Sequence, residues 1–222
     1  MAEVLMIVTS ADRMPNGDAT GLWLEEFAVP YNALRDAGHT MTVASPKGGA
    51  TPIDPRSAKG TPPPEWDEAA ARLRNTRPLD GLQAADYTAV FLPGGHGTMF
   101  DFPGNAQLAA LLSDFHAAGK PIASVCHGPA AFVGVQRADG RPLVEGYTLT
   151  AFSDIEEKMT GLADVVPFLL SERLREEGGH VENGLPMLSH VREDRGLITG
   201  QNPRSSEAAA ELLVKRLSAA HP

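Results

Sequence analysis

A single cysteine, Cys126, stands among the 222 residues. It leaves no intrachain disulfide framework, and one lone thiol fits a reducing compartment. Basic charge is also scarce: 19 Lys and Arg face 28 Asp and Glu, a formal net charge of −9. No electrostatic argument therefore favours nucleic acid or an anionic membrane as a partner. No apolar run approaches the ~18 residues that span a bilayer. The opening Met1–Val8 enters a strand directly, without a basic n-region or a signal-peptide cleavage pattern. The expectation is a soluble, cytoplasmic protein. The Walker pattern and the dinucleotide fingerprint are both missing. The seven histidines show no H-x-x-x-H spacing and no partnering cysteine pair, so neither a metal nor a cofactor is expected. No internal repeat is present.

What is there suits one α/β domain over 1–222. Hydrophobic content is 42%, enough for a full core at this length. Strands are predicted at Val4–Thr9, Thr40–Ser45, Ala84–Leu92, Ile122–Val125 and Tyr147–Phe152. Short strands follow at His180–Glu182, Met187–Arg192 and Leu197–Thr199. Helices are predicted from Thr20, as cap, to Ala37 with a kink at Pro30, and over Glu65–Arg74, Asn105–Ala118, Val165–Glu176 and Pro203–Ala219. The alternation implies a largely parallel sheet. The Gly- and Pro-rich stretch 46–64, or 46–80 with the short helix behind it, is expected to be a lid or rim over the site.

The chain is organised around Ile122-Ala-Ser-Val-Cys126-His127-Gly128-Pro129. A buried strand ends at the cysteine, and Pro129 suits the first turn of a following helix. This is the geometry of a nucleophile elbow with sulfur in place of oxygen. The helix dipole should lower the thiol pKa, but its ~0.3–1 kcal/mol is less than one pKa unit. A reactive Cys126 needs further help from a neighbouring proton donor or cation.

Three other stretches carry candidate chemistry. Glu26 has Leu22, Trp23, Val29 and Pro30 at helical spacing around it, which places it on an apolar stripe where a carboxyl becomes a neutral donor. The same spacing fits Glu25 and Glu26 on a solvated rim. Pro93-Gly94-Gly95-His96-Gly97-Thr98 follows a strand, and its amides can hold an oxyanion; His96 is either a base or a pocket-lining residue. Ser153-Asp154-Ile-Glu156-Glu157 reads as a helix cap.

Together these motifs resemble the ThiJ/PfpI superfamily, whose fold is a flavodoxin-like sandwich with a cysteine elbow. The resemblance rests on Thr20–Glu26, Ala44–Gly48, Pro93–Gly97, Val125–Pro129, Ala151–Asp154, Asp164–Phe168 and Thr199–Pro203, seven motifs in order across nearly the whole chain. The subgroup it looks most like contains the glutathione-independent glyoxalases (glyoxalase III) and related heat-inducible chaperones. Many relatives are labelled class I glutamine amidotransferase-like. Here the elbow is Ser124-Val125-Cys126 instead of Gly-x-Cys, and the late His190-Val-Arg-Glu193 has the wrong spacing for a glutaminase. Glutaminase activity is therefore not expected.

The resemblance implies Cys126 as nucleophile, His127 as its neighbouring acid/base, and Glu26 as the carboxyl that hydrogen-bonds the thiol. Glu157 would orient His127, with Glu156 as rival. The turn at Gly94, Gly95 and His96 would bind substrate or oxyanion, through the amides of Gly95 and His127. The implied reaction is cofactor-free conversion of methylglyoxal to lactate, or glycation repair of protein or nucleotide by the same chemistry. The alternatives are a cysteine peptidase or amidase, and a stress chaperone or redox sensor. The implied partners are a small reactive aldehyde and a second copy of the chain as a homodimer, with neither nucleic acid nor membrane.

Overall fold

The computed structural model describes residues 1–219. Its nine strands are β1 (Glu3–Ile7), β2 (Thr40–Ser45), β3 (Arg77–Pro78), β4 (Ala89–Leu92), β5 (Ile122–Val125), β6 (Thr148–Leu149), β7 (His180–Val181), β8 (Val191–Asp194) and β9 (Leu197–Gly200). Seven form one sheet in the order β3-β2-β1-β4-β5-β9-β8. All its pairs are parallel except β8 with β9. The helices are α1 (Leu24–Asp36), α2 (Asp67–Arg72), α3 (Thr98–Asp101), α4 (Ala106–Ala117), α5 (Asp154–Thr160), α6 (Leu170–Glu176) and α7 (Ser206–Ala219).

Side chains alternate across a strand, so each strand feeds two cores. Val4 and Met6 of β1 join Phe27 and Leu34 of α1 and Leu213 of α7 on one face. Leu5 and Ile7 join Leu108, Leu112 and Phe115 of α4 on the other. This is the flavodoxin-like α/β sandwich expected from the sequence. Strand order reverses between β1 and β4. In such sheets ligands bind beyond the carboxyl ends of the strands at that reversal. No helix among the described residues is long and apolar enough to cross a membrane.

Several elements differ from expectation. Helix α1 starts at Leu24, not at a Thr20 cap. The Leu24 N–H donates to Ser57 Oγ at 3.1 Å, while Thr20 Oγ1 donates to buried Asp54 at 3.2 Å. A distant residue, invisible to local pattern, satisfies the helix end. The helix runs unbroken through Pro30. The strand expected over 147–152 shrinks to β6, paired only with β7 outside the main sheet. The helix expected over 165–176 begins at Leu170. Residues 84–86 are a 3₁₀ turn before β4. The first part of the 46–64 stretch packs inward: Leu22 and Ile53 form a parallel bridge, and Asp54 is fully buried.

Candidate active site

Cys126 follows β5 with φ of 58°. The left-handed region costs an L-residue about 1–2 kcal/mol. Two backbone bonds hold it there: the Cys126 N–H donates to Gly200 O at 2.8 Å, and the Phe152 N–H donates to Cys126 O at 2.9 Å. Gly200 is within reach because β5 and β9 pair Val125 with Gly200. The sharp turn is the elbow expected from the sequence.

The helix behind it is not. Gly128–Phe132 is a five-residue 3₁₀ turn that ends in extended Val133, so there is little dipole to lower the thiol pKa. Burial instead pushes the Cys126 thiol well up, and the charge of Glu26 adds to the rise while that carboxyl is ionised. The expectation of a dipole-lowered thiol is therefore corrected.

Glu26 faces the core from α1 and has no solvent exposure. Its Oε2 accepts the Gly94 N–H at 2.7 Å. Its Oε1 is buried without a hydrogen-bonding partner, and the carboxyl interacts with the Cys126 side chain. Burial raises its pKa from 4.5 to about 8, so at neutral pH it is mostly a neutral acid. The solvated-rim alternative is thus wrong. Gly94 must be glycine for this approach: a Cβ there would lie 2.7 Å from Glu26 Oε2 and 2.6 Å from the His127 nitrogen. Because its N–H is spent on Glu26, Gly94 is not an oxyanion donor, a second correction.

On the other side of the sulfur, His127 Nδ1 lies 3.3 Å from Sγ. His127 Nε2 lies 2.6 Å from Glu157 Oε2. His96 Nε2 lies 2.7 Å from the other oxygen, Glu157 Oε1, and the two imidazole centroids are 4.1 Å apart. Burial alone would raise the Glu157 pKa, but the charge and hydrogen bonds of the two imidazoles outweigh it and hold the carboxyl well below its usual range. Burial lowers His96 from 6.5 to about 4, with repulsion by His127 second. A neutral His96 has one donor and one acceptor. Arg56 Nη2 donates to its Nδ1 at 3.2 Å, which leaves the Nε2–H to donate to Glu157. His96 is therefore not free to bind substrate through its ring nitrogens. Arg56 in turn is anchored by Asp54 through Nε at 2.9 Å and Nη2 at 2.5 Å.

Glu156 contacts neither histidine. Its Oε2 accepts from Ser153 in a capping box and from Gln201, and its Oε1 accepts from the Met187 N–H and Asn202. Of the two rivals, Glu157 is the one that touches His127. The Gly95 and His127 N–H groups donate to no acceptor among the described residues. Gly95 holds φ of 104°, and a Cβ on it would meet Gly21 O at 2.3 Å.

His96, His127 and Glu157 bring three possible metal-ligand atoms within 4.8 Å of one another, a cluster that local spacing did not signal. Their N···O distances of 2.6 and 2.7 Å are hydrogen-bond lengths. Tetrahedral ligands at ~2.0–2.2 Å from zinc stand about 3.3 Å apart. The donors as placed suit shared protons better than an ion.

These groups open onto a cavity of about 320 Å³ lined by Trp23, Arg56, Cys126, Phe152, Met159 and Met187, among others. Arg56, Asp54 and the two methionines escaped sequence reasoning. Nothing local distinguishes them, and they reach the site only through tertiary packing.

A model of the DJ-1/PfpI family matches residues 19–216. The glutathione-independent glyoxalase hsp3101 of Schizosaccharomyces pombe is 28% identical, over 96% of this chain and 95% of its own. The protein/nucleic acid deglycase HchA of Escherichia coli is 29% identical, over 99% and 82%. The 24 kDa rapid encystment protein of Francisella tularensis superposes with a TM-score of 0.92 at 36% identity, over 98% of this chain and 99% of that one. Glyoxalase III of Candida albicans superposes with a TM-score of 0.85 at 28% identity, over 96% of each chain. With a family model covering most of its length, and with the fold and elbow described above, the chain belongs to the DJ-1/PfpI family.

Proposed function

We propose that this protein is a glutathione-independent glyoxalase that converts methylglyoxal and water to lactate, with Cys126 as nucleophile. One observation carries the reading: a buried Cys126 is flanked by the His127–Glu157 pair on one side and by neutral Glu26 on the other, at the floor of an open cavity. The glyoxalase names of similar proteins support it.

The Cys126 proton passes to His127 Nδ1, and the sulfur adds to the aldehyde carbon. The C–S bond forms as the carbonyl π pair moves to oxygen. That oxyanion meets the free amides of Gly95 and His127, then takes the proton back from His127 to give a hemithioacetal. His127, neutral again, removes the hydrogen of that carbon as a proton, while Glu26 protonates the neighbouring ketone oxygen, giving an enediol. His127 returns its proton to the second carbon while Glu26 regains a proton from the hydroxyl of the sulfur-bearing carbon, which leaves a thioester. Water, with His127 as base, releases lactate and the thiol. Glu157 holds the His127 Nε2–H throughout, so the nitrogen facing sulfur is the one that exchanges protons. His96, Arg56 and Asp54 are positioning residues that hold Glu157 in turn.

The test is lactate formation from methylglyoxal, without glutathione, by wild type and Cys126→Ala. The expected result is lactate from wild type only. A folded wild type that forms none, or a variant that keeps wild-type turnover, rejects the proposal.

A further inference from the structure

We infer that the site selects 2-oxoaldehydes whose ketone carbon carries an apolar group larger than methyl, an aryl or branched alkyl substituent. The inference rests on the glyoxalase reading above and assigns the part of the cavity which that reading leaves unused.

A volume of about 320 Å³ lies at the lower end of the ~300–1,000 Å³ of small-molecule sites. A three-carbon aldehyde seated on Cys126 leaves most of it to water. Most polar side chains in the wall are already engaged. Both Glu156 oxygens are occupied, Arg56 Nε and Nη2 are tied to Asp54 and His96, and both histidines are tied to Glu157. Away from the Gly95 and His127 amides, which the reaction uses, the wall is largely apolar, formed by Trp23, Phe152, Met159, Met187 and Pro203.

The exposed hydrophobics point to the same place. Apart from Met1, the large ones are Ile155, Met159, Leu185, Met187 and Leu188. They fall in two short stretches, 155–159 and 185–188, and each stretch puts its methionine into the cavity wall. Ile155 and Met159 lie on one face of α5, one turn apart. Met187 is fixed by its backbone, with φ of 60° and its N–H donating to Glu156 Oε1 at 2.8 Å. Methionines left 62% and 45% exposed beside the reacting sulfur gain most when an apolar group covers them. Their unbranched, polarizable chains adapt to an aromatic ring.

The chemistry is unchanged and balanced. An arylglyoxal and one water give the aryl 2-hydroxy acid: the aldehyde carbon is oxidised to carboxylate and the ketone carbon reduced to carbinol, with no external oxidant.

The experiment compares kcat/KM for methylglyoxal and phenylglyoxal, read as lactate and mandelate without glutathione, in wild type, Met159→Ser and Met187→Ser. The expected result is a preference for phenylglyoxal of at least about tenfold. Each serine variant should lower the ratio of kcat/KM for phenylglyoxal to that for methylglyoxal several-fold. Mandelate should also inhibit wild type more strongly than lactate, a measurement that needs no variant. Methylglyoxal turnover with no phenylglyoxal preference overturns the inference and leaves the glyoxalase reading standing. A preference untouched by both substitutions also overturns it, because the selectivity would then be the aldehyde's own reactivity. If neither aldehyde is turned over, the glyoxalase reading fails and takes this one with it.

Discussion

Replacing Glu26 with Gln should stabilise the protein and disable it. Burial raises the Glu26 pKa from 4.5 to about 8. Between those values the folded chain holds a proton that the unfolded chain releases, so stability falls as pH rises, by about 1.4 kcal/mol per pH unit. At pH 7 the accumulated penalty is about 3 kcal/mol. His96 acts with the opposite sign. Its folded pKa is lowered from 6.5 to about 4, so stability is lost as pH falls below 6.5. Below pH 6.5 the slopes of His96 and of Asp101, whose carboxyl pKa burial raises from 3.8 to about 6, overlap with that of Glu26, which leaves the Glu26 slope visible between 6.5 and 8. Gln keeps an acceptor for the Gly94 N–H but carries no titrating proton. The variant should therefore gain roughly 6–12 °C in Tm at pH 7, at about 2–4 °C per kcal/mol for a chain of this size. Its stability should be flat between pH 6.5 and 8. Turnover should drop about 10²–10⁴-fold, the range for a lost acid–base group. Urea unfolding at several pH values, with lactate assays alongside, reads all of this. A Gln variant that retains the wild-type slope between pH 6.5 and 8, or is less stable at pH 7, refutes the reasoning.

Further substitutions separate roles within the site. Glu157→Gln should lower kcat about 10²–10³-fold with KM little changed, whereas Glu156→Gln should lower Tm by several degrees through its lost helix-cap and loop bonds and leave the pH profile of turnover in place; steady-state kinetics and melting curves distinguish them. Arg56→Met removes the donor that fixes the His96 tautomer. It should lower kcat about tenfold and shift the pH profile of Cys126 alkylation by iodoacetamide; Arg56→Lys, which keeps the charge, should restore part of both.

The fold was legible where pattern is local. Strands β2 and β5 lie at the predicted residues, and the helix predicted over Asn105–Ala118 is α4, with the Asn105 side chain accepting from the Leu108 N–H as its cap. The elbow was legible because a small, apolar strand running into Cys-His-Gly-Pro admits few other shapes. Elements whose hydrogen bonds come from far along the chain were not. Residues 147–152 have β composition, yet only Thr148 and Leu149 find a partner strand. Thr20 looks like a cap, but Ser57 does the capping. The Gly-Pro-Ala-Ala-Phe run has helical content and closes as a 3₁₀ turn, because Val133 turns extended. Glu26 was ambiguous from spacing, since one helix face can meet core or solvent, and packing against Gly94 decides it. The choice between Glu156 and Glu157 turned on one helical step, which swings the first into the Ser153 cap and the second toward the histidines. Arg56 carried no local signal at all. Its role depends on Asp54 being carried into the core by the Leu22–Ile53 bridge.

A raised thiol pKa and a nucleophilic cysteine are compatible at this site. The raised value describes loss of the Cys126 proton to water, which would leave a bare charge in a buried place. The proposed reaction asks for something smaller: transfer of that proton over 3.3 Å to His127. Net charge in the site is unchanged by the transfer. The resulting imidazolium stands between the thiolate and the Glu157 carboxylate, which is already ionised. On the far side the neutral Glu26 carboxyl interacts with the same sulfur, and its Oε1 is buried with no hydrogen-bonding partner. Each neighbour carries its proton where the thiolate needs it, because burial keeps Glu26 neutral and the Arg56–His96 contact orients the donors on Glu157. The same burial that disfavours an isolated thiolate strengthens these compensating interactions, since charges attract more strongly in a low dielectric. Reactivity is thus a property of the hydrogen-bonded series, and removing an outer member, Glu157 or Arg56, should slow the sulfur without touching it.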